Sequence, residues 1–466
     1  MIQPKHFLIA CGGTGGHLSP GIAVAQELTA RGHRCKLLIS EKRVDKTLCG
    51  SYPELEFIPL PGIGFSKKLS NLPRCLWAAF KNIVQSFRLL RQSKADAVIG
   101  FGGFTNVGII LAAKFLRKPC FLHEANRIPG RAVRTLGRWA TTVYVPEIFQ
   151  KQQHLRMKVC GFPIRREFQK LDKAVAKRNL GFDPKKLLLV IVGGSQGARV
   201  LTQWAREHSE DFKQQNLQLL CLTGMRNDGE GATETATAFA SVVEIREKCG
   251  NKAEQTTEAV APMTKPETDN DGSIQKTAVI PEEGDGAWRN ETVASKVKFS
   301  DIVDEKNKAF ELKTEHIANK EHPSSELSDA SSSTKPSMSI GLGEPLIRFI
   351  PFSHQMHIVY SAADVVIGRA GAGTIAELTV CETPSILIPL PTSADGHQRA
   401  NARAFEQQGG CVCLEQDELP KLLGKVLEFL SDKEKREAIS ERLRELHPAD
   451  ATRLMVTDIE RALGIG

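Results

Sequence analysis

Three glycine-rich segments hold the residues best suited to bind a charged ligand. The apolar run His6-Phe7-Leu8-Ile9-Ala10 breaks into Gly12-Gly13-Thr14-Gly15-Gly16-His17, and Leu187-Leu188-Leu189-Val190-Ile191-Val192 breaks into Gly193-Gly194-Ser195-Gln196-Gly197. The third segment, Arg369-Ala370-Gly371-Ala372-Gly373-Thr374-Ile375-Ala376-Glu377, follows Asp364-Val365-Val366-Ile367. A buried strand that ends in glycines and opens a helix presents bare backbone N–H groups at the positive end of a helix dipole, a geometry that suits phosphate. Neither of the first two turns fits a standard nucleotide motif. Leu18 stands where the third glycine of the dinucleotide fingerprint belongs, and no Gly-Lys-Ser/Thr follows either turn. In the third, Glu377 would oppose a phosphate but is placed to accept hydrogen bonds from ribose hydroxyls. Asp395-Gly396-His397-Gln398 with Asn401 then adds neutral donors and acceptors of the kind that sugar hydroxyls require.

Such turns need strands and helices in alternation to hold them. Short apolar runs alternate with helical stretches up to about residue 145, and again from Leu187, as in parallel sheets wrapped by helices. Cys160-Gly161-Phe162-Pro163 punctuates the change from one series to the next. The expected fold is α/β: two Rossmann-like, doubly wound domains facing a cleft. The first domain is assigned to residues 1–160 and the second to 161–224 and 345–466. Residues 225–344 form an acidic, low-complexity insertion in the second domain, expected to be disordered because so polar a segment cannot offset its ordering entropy by burial. Its Asp269-Asn270-Asp271 triplet fails the EF-hand template, since Glu267 occupies the first ligand position and Ala278 the last.

The 466 residues suffice for two or three domains, and the 11 cysteines, with no C-x-x-C pair, read as reduced thiols of a cytoplasmic protein. No signal peptide and no run of roughly 18 apolar residues is found. The net charge of +8 is uneven. The segment 225–344 carries 14 Lys+Arg against 23 Asp+Glu, a net −9, which leaves +17 on the remainder. A basic body favours anionic partners such as a nucleotide, a lipid phosphate or a membrane surface. Between residues 65 and 94, Trp77, Phe80, Val84 and Phe87 form an apolar stripe beside Arg74, Lys81 and Arg88, which recur every seven residues on one helix face. A basic amphipathic segment of this kind predicts an anchor to an anionic membrane.

The glycine turns at residues 12–17 and 193–199, His123-Glu124-Ala125-Asn126, Gly161-Phe162-Pro163-Ile164-Arg165, residues 369–377 and residues 395–401 fall in the order and approximate spacing of the MurG family. Across nearly the whole chain outside the insertion, the sequence thus resembles the peptidoglycan N-acetylglucosaminyltransferases that convert lipid I to lipid II. The resemblance implies a GT-B glycosyltransferase of family 28 that takes UDP-GlcNAc in its second domain and transfers GlcNAc with inversion to the MurNAc 4-hydroxyl of lipid I. It places Thr14, Gly15, Gly16, Asn126, Arg165, Ser195, Ile350, Ala372, Gly373, Thr374, Glu377, His397 and Gln398 around the donor, and Gly13 and His123 on the acceptor side. His17, an imidazole at the mouth of the first turn, is the expected general base, with Glu124 as its rival. No cofactor and no metal is expected, because helix N-termini and Arg165 can stabilise the departing UDP. The implied location is peripheral, on the cytoplasmic face of the bacterial inner membrane and held by its anionic surface. Cell-wall or division proteins are candidate partners for the insertion, and no nucleic acid is expected. Two positions depart from the family pattern: His397-Gln398 replaces Gln-Gln, and Gly102-Gly103-Phe104 replaces Gly-Gly-Tyr. Three alternatives stay open, namely a related transferase with another lipid acceptor, a UDP-GlcNAc epimerase on the same fold, and a nucleotide-sugar-binding scaffold.

Overall fold

Four- and five-residue apolar runs become the central strands of two parallel sheets. The computed structural model describes residues 3–12, 15–40, 48–60, 72–103, 105–147, 149, 151, 154–193, 198–224, 346–447 and 450–465. Both sheets belong to one compact unit, Met1–Val242 with Leu342–Gly466. The insertion, and with it the expectation of disorder, lies outside the described residues.

In chain order the first series runs β1 (His6–Ala10), α1 (Gly15–Ala30), β2 (Arg34–Ser40), β3 (Glu56–Leu60), α2 (Leu72–Gln92), β4 (Ala97–Gly100), α3 (Thr105–Phe115), β5 (Cys120–His123), α4 (Arg131–Leu136), β6 (Thr142–Val145) and β7 (Met157–Val159). Its sheet order is β3-β2-β1-β4-β5-β6-β7. Every neighbouring pair is parallel. The second series runs α5 (Lys173–Asn179), β8 (Leu188–Val192), α6 (Arg199–Glu207), α7 (Ser209–Gln214), β9 (Gln218–Leu222), β10 (Ile347–Ile350), α8 (Met356–Ala362), β11 (Val365–Gly368), α9 (Ala372–Val380), β12 (Ser385–Leu387), α10 (His397–Gln407), β13 (Val412–Cys413), α11 (Leu422–Ser431), α12 (Lys433–Leu446) and α13 (Ala451–Ala462). Its sheet, β10-β9-β8-β11-β12-β13, is again all parallel. Residues of β1, β4, β5, β8, β9 and β11 are buried on both faces, which is why these strands read as continuous apolar runs rather than alternating ones. The expected pair of doubly wound α/β domains is present. Each chain order reverses between its first and fourth strands, and a doubly wound sheet binds ligands at the carboxyl ends of the strands flanking that reversal.

Helix α2 packs on α3 through a glycine. A Cβ at Gly108 would lie 2.1 Å from Asn82 Oδ1 and 2.8 Å from Ser86 Oγ, so the side chain is omitted where the helices approach most closely. Asn82, Ser86 and Leu90 are accordingly buried, while Trp77 and Phe80 on the other side of α2 stay 59% and 56% exposed.

The final helix lies within the stretch assigned by sequence to the second domain, yet its apolar face packs on the first sheet. Met455, Val456 and Ile459 join the core of Phe7, Ile9, Leu18 and Ile22. Burying each such side chain contributes roughly 1.5–3 kcal/mol. Asp450 caps α13 by accepting from the Arg453 N–H at 3.0 Å. Glu460 accepts from Arg31 Nη1 at 2.6 Å and from buried His33 Nε2 at 3.0 Å, and Asp458 accepts from the Tyr144 hydroxyl at 2.9 Å.

Candidate active site

The first reversal point is built around His17. Gly15 and Gly16 open α1, and His17 follows them in its first turn. The chain leaving β4 passes under the imidazole with two residues in the left-handed region, Gly102 at φ +97° and Gly103 at φ +79°. A Cβ at Gly102 would lie 3.0 Å from His17 Nε2, and one at Gly103 would lie 2.9 Å from the Gly12 carbonyl oxygen. Glycine is required at both positions by backbone angle and by space. The predicted Gly13 and Thr14 lie outside the described residues.

His123, at the end of β5, is buried between the rings of Phe101 and Phe162. Its Nε2 sits 3.2 Å from the Gly161 carbonyl, which can only accept, so Nε2 carries the proton. Burial pushes its pKa down to about 4, with the nearby His17 acting in the same direction, so the ring is neutral near pH 7. Both oxygens of the Glu124 carboxylate are engaged. Oε1 accepts from the backbone and side-chain nitrogens of Asn126, each at 3.0 Å, and Oε2 accepts from Gly130 N at 2.6 Å. Glu124 thereby closes the turn that presents Asn126 and Arg127.

That turn meets the second domain through one amide. Asn401 Nδ2 donates to Asn126 Oδ1 at 3.1 Å and, at 3.4 Å, to the Ala370 carbonyl, while its Oδ1 accepts from Arg127 N at 3.1 Å. Arg134 and Asp395 form a second bridge between the domains. Between the two domains lies a cavity of about 280 Å³, lined by His123, Glu124 and Phe162 on one side and by Ala372, Ile375 and Asn401 on the other.

At the second reversal point α9 begins without a side-chain cap, so the first amides, at Ala372, Gly373 and Thr374, keep their hydrogen-bonding capacity. Phe162 comes within 3.3 Å of the position a Cβ at Gly373 would take. Glu377, one turn further along, faces Arg165, with Nη2 to Oε1 at 3.7 Å. Burial, reinforced by the Glu167 carboxylate and opposed by Arg165, raises the Glu377 pKa to about 7. Ile350 ends β10 on the apolar side of this region. His397 opens α10 and donates from Nδ1 to the Ala394 carbonyl at 2.6 Å. Gln398 Oε1 accepts from Leu390 N at 2.9 Å. Ser195 lies outside the described residues.

The described part of the predicted set thus gathers at the carboxyl ends of the two sheets. The Arg369 side chain is engaged elsewhere: Nη1 donates to the carbonyls of Ile388 and Pro389, just after β12, and Nη2 to Gln416 Oε1, just after β13, so this arginine ties the exits of the two strands together. Sequence reasoning missed Tyr52 and Glu167, which both contact Arg165. The one local signal was the position of Glu167 two residues beyond Arg165. Among the described residues no three His, Cys, Asp or Glu side chains gather as a metal site.

Comparison with known proteins agrees with this layout. Residues 7–145 match the glycosyltransferase family 28 N-terminal domain and residues 295–452 the family 28 C-terminal domain. A UDP-N-acetylglucosamine–N-acetylmuramyl-(pentapeptide) pyrophosphoryl-undecaprenol N-acetylglucosamine transferase of Opitutus terrae is 34% identical, covering 97% of this chain and 94% of its own length. The protein of the same name from Caldanaerobacter subterraneus subsp. tengcongensis is 28% identical, with 96% of each chain covered. In fold, the chain is similar to the crystal structure of Acinetobacter baumannii MurG, with a TM-score of 0.57, 20% identity, and coverage of 98% and 100%. A putative UDP-N-acetylglucosamine 2-epimerase from Listeria monocytogenes shares the same fold at a TM-score of 0.55 and 11% identity, covering 99% and 97%. The extent of the match to the Opitutus protein, with both family 28 domains present, assigns the chain: it is a glycosyltransferase and belongs to the MurG family.

Proposed function

We propose that the chain transfers GlcNAc from UDP-GlcNAc to the MurNAc 4-hydroxyl of lipid I, with inversion at the anomeric carbon, to give lipid II and UDP. The observation that carries this reading is the pairing of an imidazole at one reversal point with an uncapped helix N-terminus and a buried carboxyl at the other. His17 takes the proton of the acceptor hydroxyl as its oxygen attacks the anomeric carbon. The bond from that carbon to the β-phosphate oxygen breaks, and the electron pair leaves with UDP. The amides of Gly373 and Thr374 and the N-terminal dipole of α9 meet the charge that develops on the diphosphate. Glu377 accepts from the ribose hydroxyls, and His397 and Gln398 read the sugar. His123 and Glu124 act by position: one is a neutral ring near His17, the other the clasp of the Asn126 turn.

The test is to incubate the protein with UDP-GlcNAc and a lipid I analogue in the presence of a metal chelator. The expected products are a disaccharide lipid and UDP in equal amounts. Formation of UDP-ManNAc or ManNAc, or release of UDP without the disaccharide, would overturn the reading.

The proposed workplace is the cytoplasmic face of the inner membrane, with the protein bound peripherally. Among the described residues no helix is long and apolar enough to cross a membrane. Trp77 and Phe80 stack at 5.7 Å, Lys81 Nζ lies 5.4 Å over the Trp77 ring, and Phe115, 73% exposed, sits 5.8 Å from Phe87. Aromatic rings edged by Lys81, Arg88 and Arg91 suit insertion at an anionic headgroup layer. Since each basic residue near such a surface contributes about 1 kcal/mol, the double variant Lys81→Glu/Arg88→Glu should bind phosphatidylglycerol vesicles at least tenfold more weakly in a flotation assay. Equal flotation of the two proteins would exclude this face as the anchor.

A further inference from the structure

Four polar side chains from three separate segments meet at the donor side of the cleft. Tyr52 comes from the connection between β2 and β3, Arg165 and Glu167 from the link between the sheets, and Glu377 from α9. Arg165 is only 6% exposed. Its Nη1 donates to the Tyr52 hydroxyl at 2.7 Å and lies 3.4 Å from Glu167 Oε1, while its Nε has no partner. The Tyr52 hydroxyl donates in turn to Glu167 Oε1. Phe168 lies under the guanidinium at 5.3 Å and limits its movement. The guanidinium is therefore drawn towards Tyr52 and Glu167. Glu377, whose side chain is 14% exposed, is left with Arg165 Nη2 at 3.7 Å, beyond hydrogen-bonding distance, and with no nearer side-chain partner among the described residues. A buried carboxyl without a donor is costly, and the cost is relieved by a ligand that brings donors.

We propose, on the reading of Glu377 as the ribose-binding group, that Tyr52 and Glu167 are positioning residues of the donor site. By holding Arg165 away from Glu377, they keep that carboxyl open for the vicinal diol of a nucleoside diphosphate. The first domain thus helps to prepare the pocket of the second. A diol donates two hydrogen bonds to the ionised carboxylate and matches the protonated acid less well, so nucleotide affinity follows the ionisation of Glu377. The carboxyl is raised to about 7 by burial, then by Glu167, against Arg165. The other groups facing the cluster are uncharged near neutrality. Burial raises the Tyr360 phenol and the Cys381 thiol, and lowers the His357 imidazole. Affinity therefore falls as pH drops through about 7. Glu167→Gln keeps an oxygen that accepts from Tyr52 and Arg165, and so keeps the hold on the guanidinium, but it removes the charge that opposes ionisation and moves the fall to lower pH.

The experiment is calorimetric titration of the full chain with UDP, and with 2′,3′-dideoxy-UDP, at about pH 6 and about pH 8.5, on either side of that midpoint. The native protein should bind UDP about tenfold more weakly at the lower pH. Glu167→Gln should bind UDP more tightly than the native protein at the lower pH, a gain that structural damage does not produce. Tyr52→Phe, which frees Arg165 from its phenol, should weaken UDP several-fold at both pH values. If Tyr52→Phe binds UDP as well as the native protein does, the positioning role is overturned, and if Glu167→Gln binds it no more tightly than the native protein at the lower pH, the link between affinity and the ionisation of Glu377 is overturned. Native protein that binds dideoxy-UDP as tightly as UDP would instead overturn the assignment of Glu377 itself, a result distinguishable from the other two.

Discussion

Replacing His17 by alanine is expected to lower kcat by roughly 10²–10⁴-fold, with the KM for UDP-GlcNAc changed less than about threefold. The expectation rests on what surrounds the two rival bases. Glu124 has both oxygens engaged by three N–H donors, so proton transfer to it would break the turn that carries Asn126. His17 lies on the backbone of Gly102 and Gly103, at the reversal point of the first sheet. Its neighbour His123 is held neutral by burial, so an imidazolium formed at His17 meets no second cation there. Steady-state kinetics at saturating acceptor provide the check. A fall in kcat of less than about tenfold would remove His17 from the role of base.

Glu377→Gln is expected to have effects of opposite sign on binding and on stability. The amide matches a ribose diol less well than a carboxylate, so the KM for UDP-GlcNAc should rise at least tenfold, in line with the cost of leaving one charged hydrogen-bonding site imperfectly paired. The pKa of Glu377 in the fold is about 7, above the ordinary value of 4.5. The folded chain therefore holds this proton more tightly than the unfolded chain. The stability linked to it is complete below about 4.5 and is lost as pH rises through about 7. A neutral side chain escapes that loss, so the ligand-free variant should melt about 2–4 °C higher than the native protein at about pH 8, with a smaller difference near pH 5. Thermal unfolding at the two pH values, with donor KM measured alongside, decides the matter. A variant with unchanged melting at both pH values would show that the carboxyl is not strained in the empty site.

Much of this arrangement could be read from the chain because its cause is local. A five-residue apolar run followed by glycines specifies a buried strand and a tight exit, and the repetition of that pattern marked two α/β domains, whose strand orders and reversal points the structure supplies. Glu377 was legible for the same reason, since its distance from the glycines sets it one turn into α9. The partners of Arg369 were not legible, since they are carbonyls about twenty residues further along the chain. Nor does any local pattern show that the rings of Phe101 and Phe162 enclose His123. Tyr52 is the opposite case. Its bond to Arg165 spans 113 residues, and nothing near Tyr52 in sequence marks it. The Asn126–Asn401 contact spans 275 residues and depends on how the two domains come together, which no local pattern encodes.

The placement of α13 has a consequence for how the protein folds. This helix completes the core of the first sheet, covering Phe7, Ile9 and Ile22, from the far side of the second sheet and of the acidic segment in the chain. Contacts of such sequence separation form only after the loop between them has closed, so the apolar face of the first sheet has no lid until α13 docks. A change that loosens α13 would thus be felt at β1, a sheet away from the strands that precede the helix in the chain. Quality control that senses exposed apolar surface would in effect be testing whether that helix had docked.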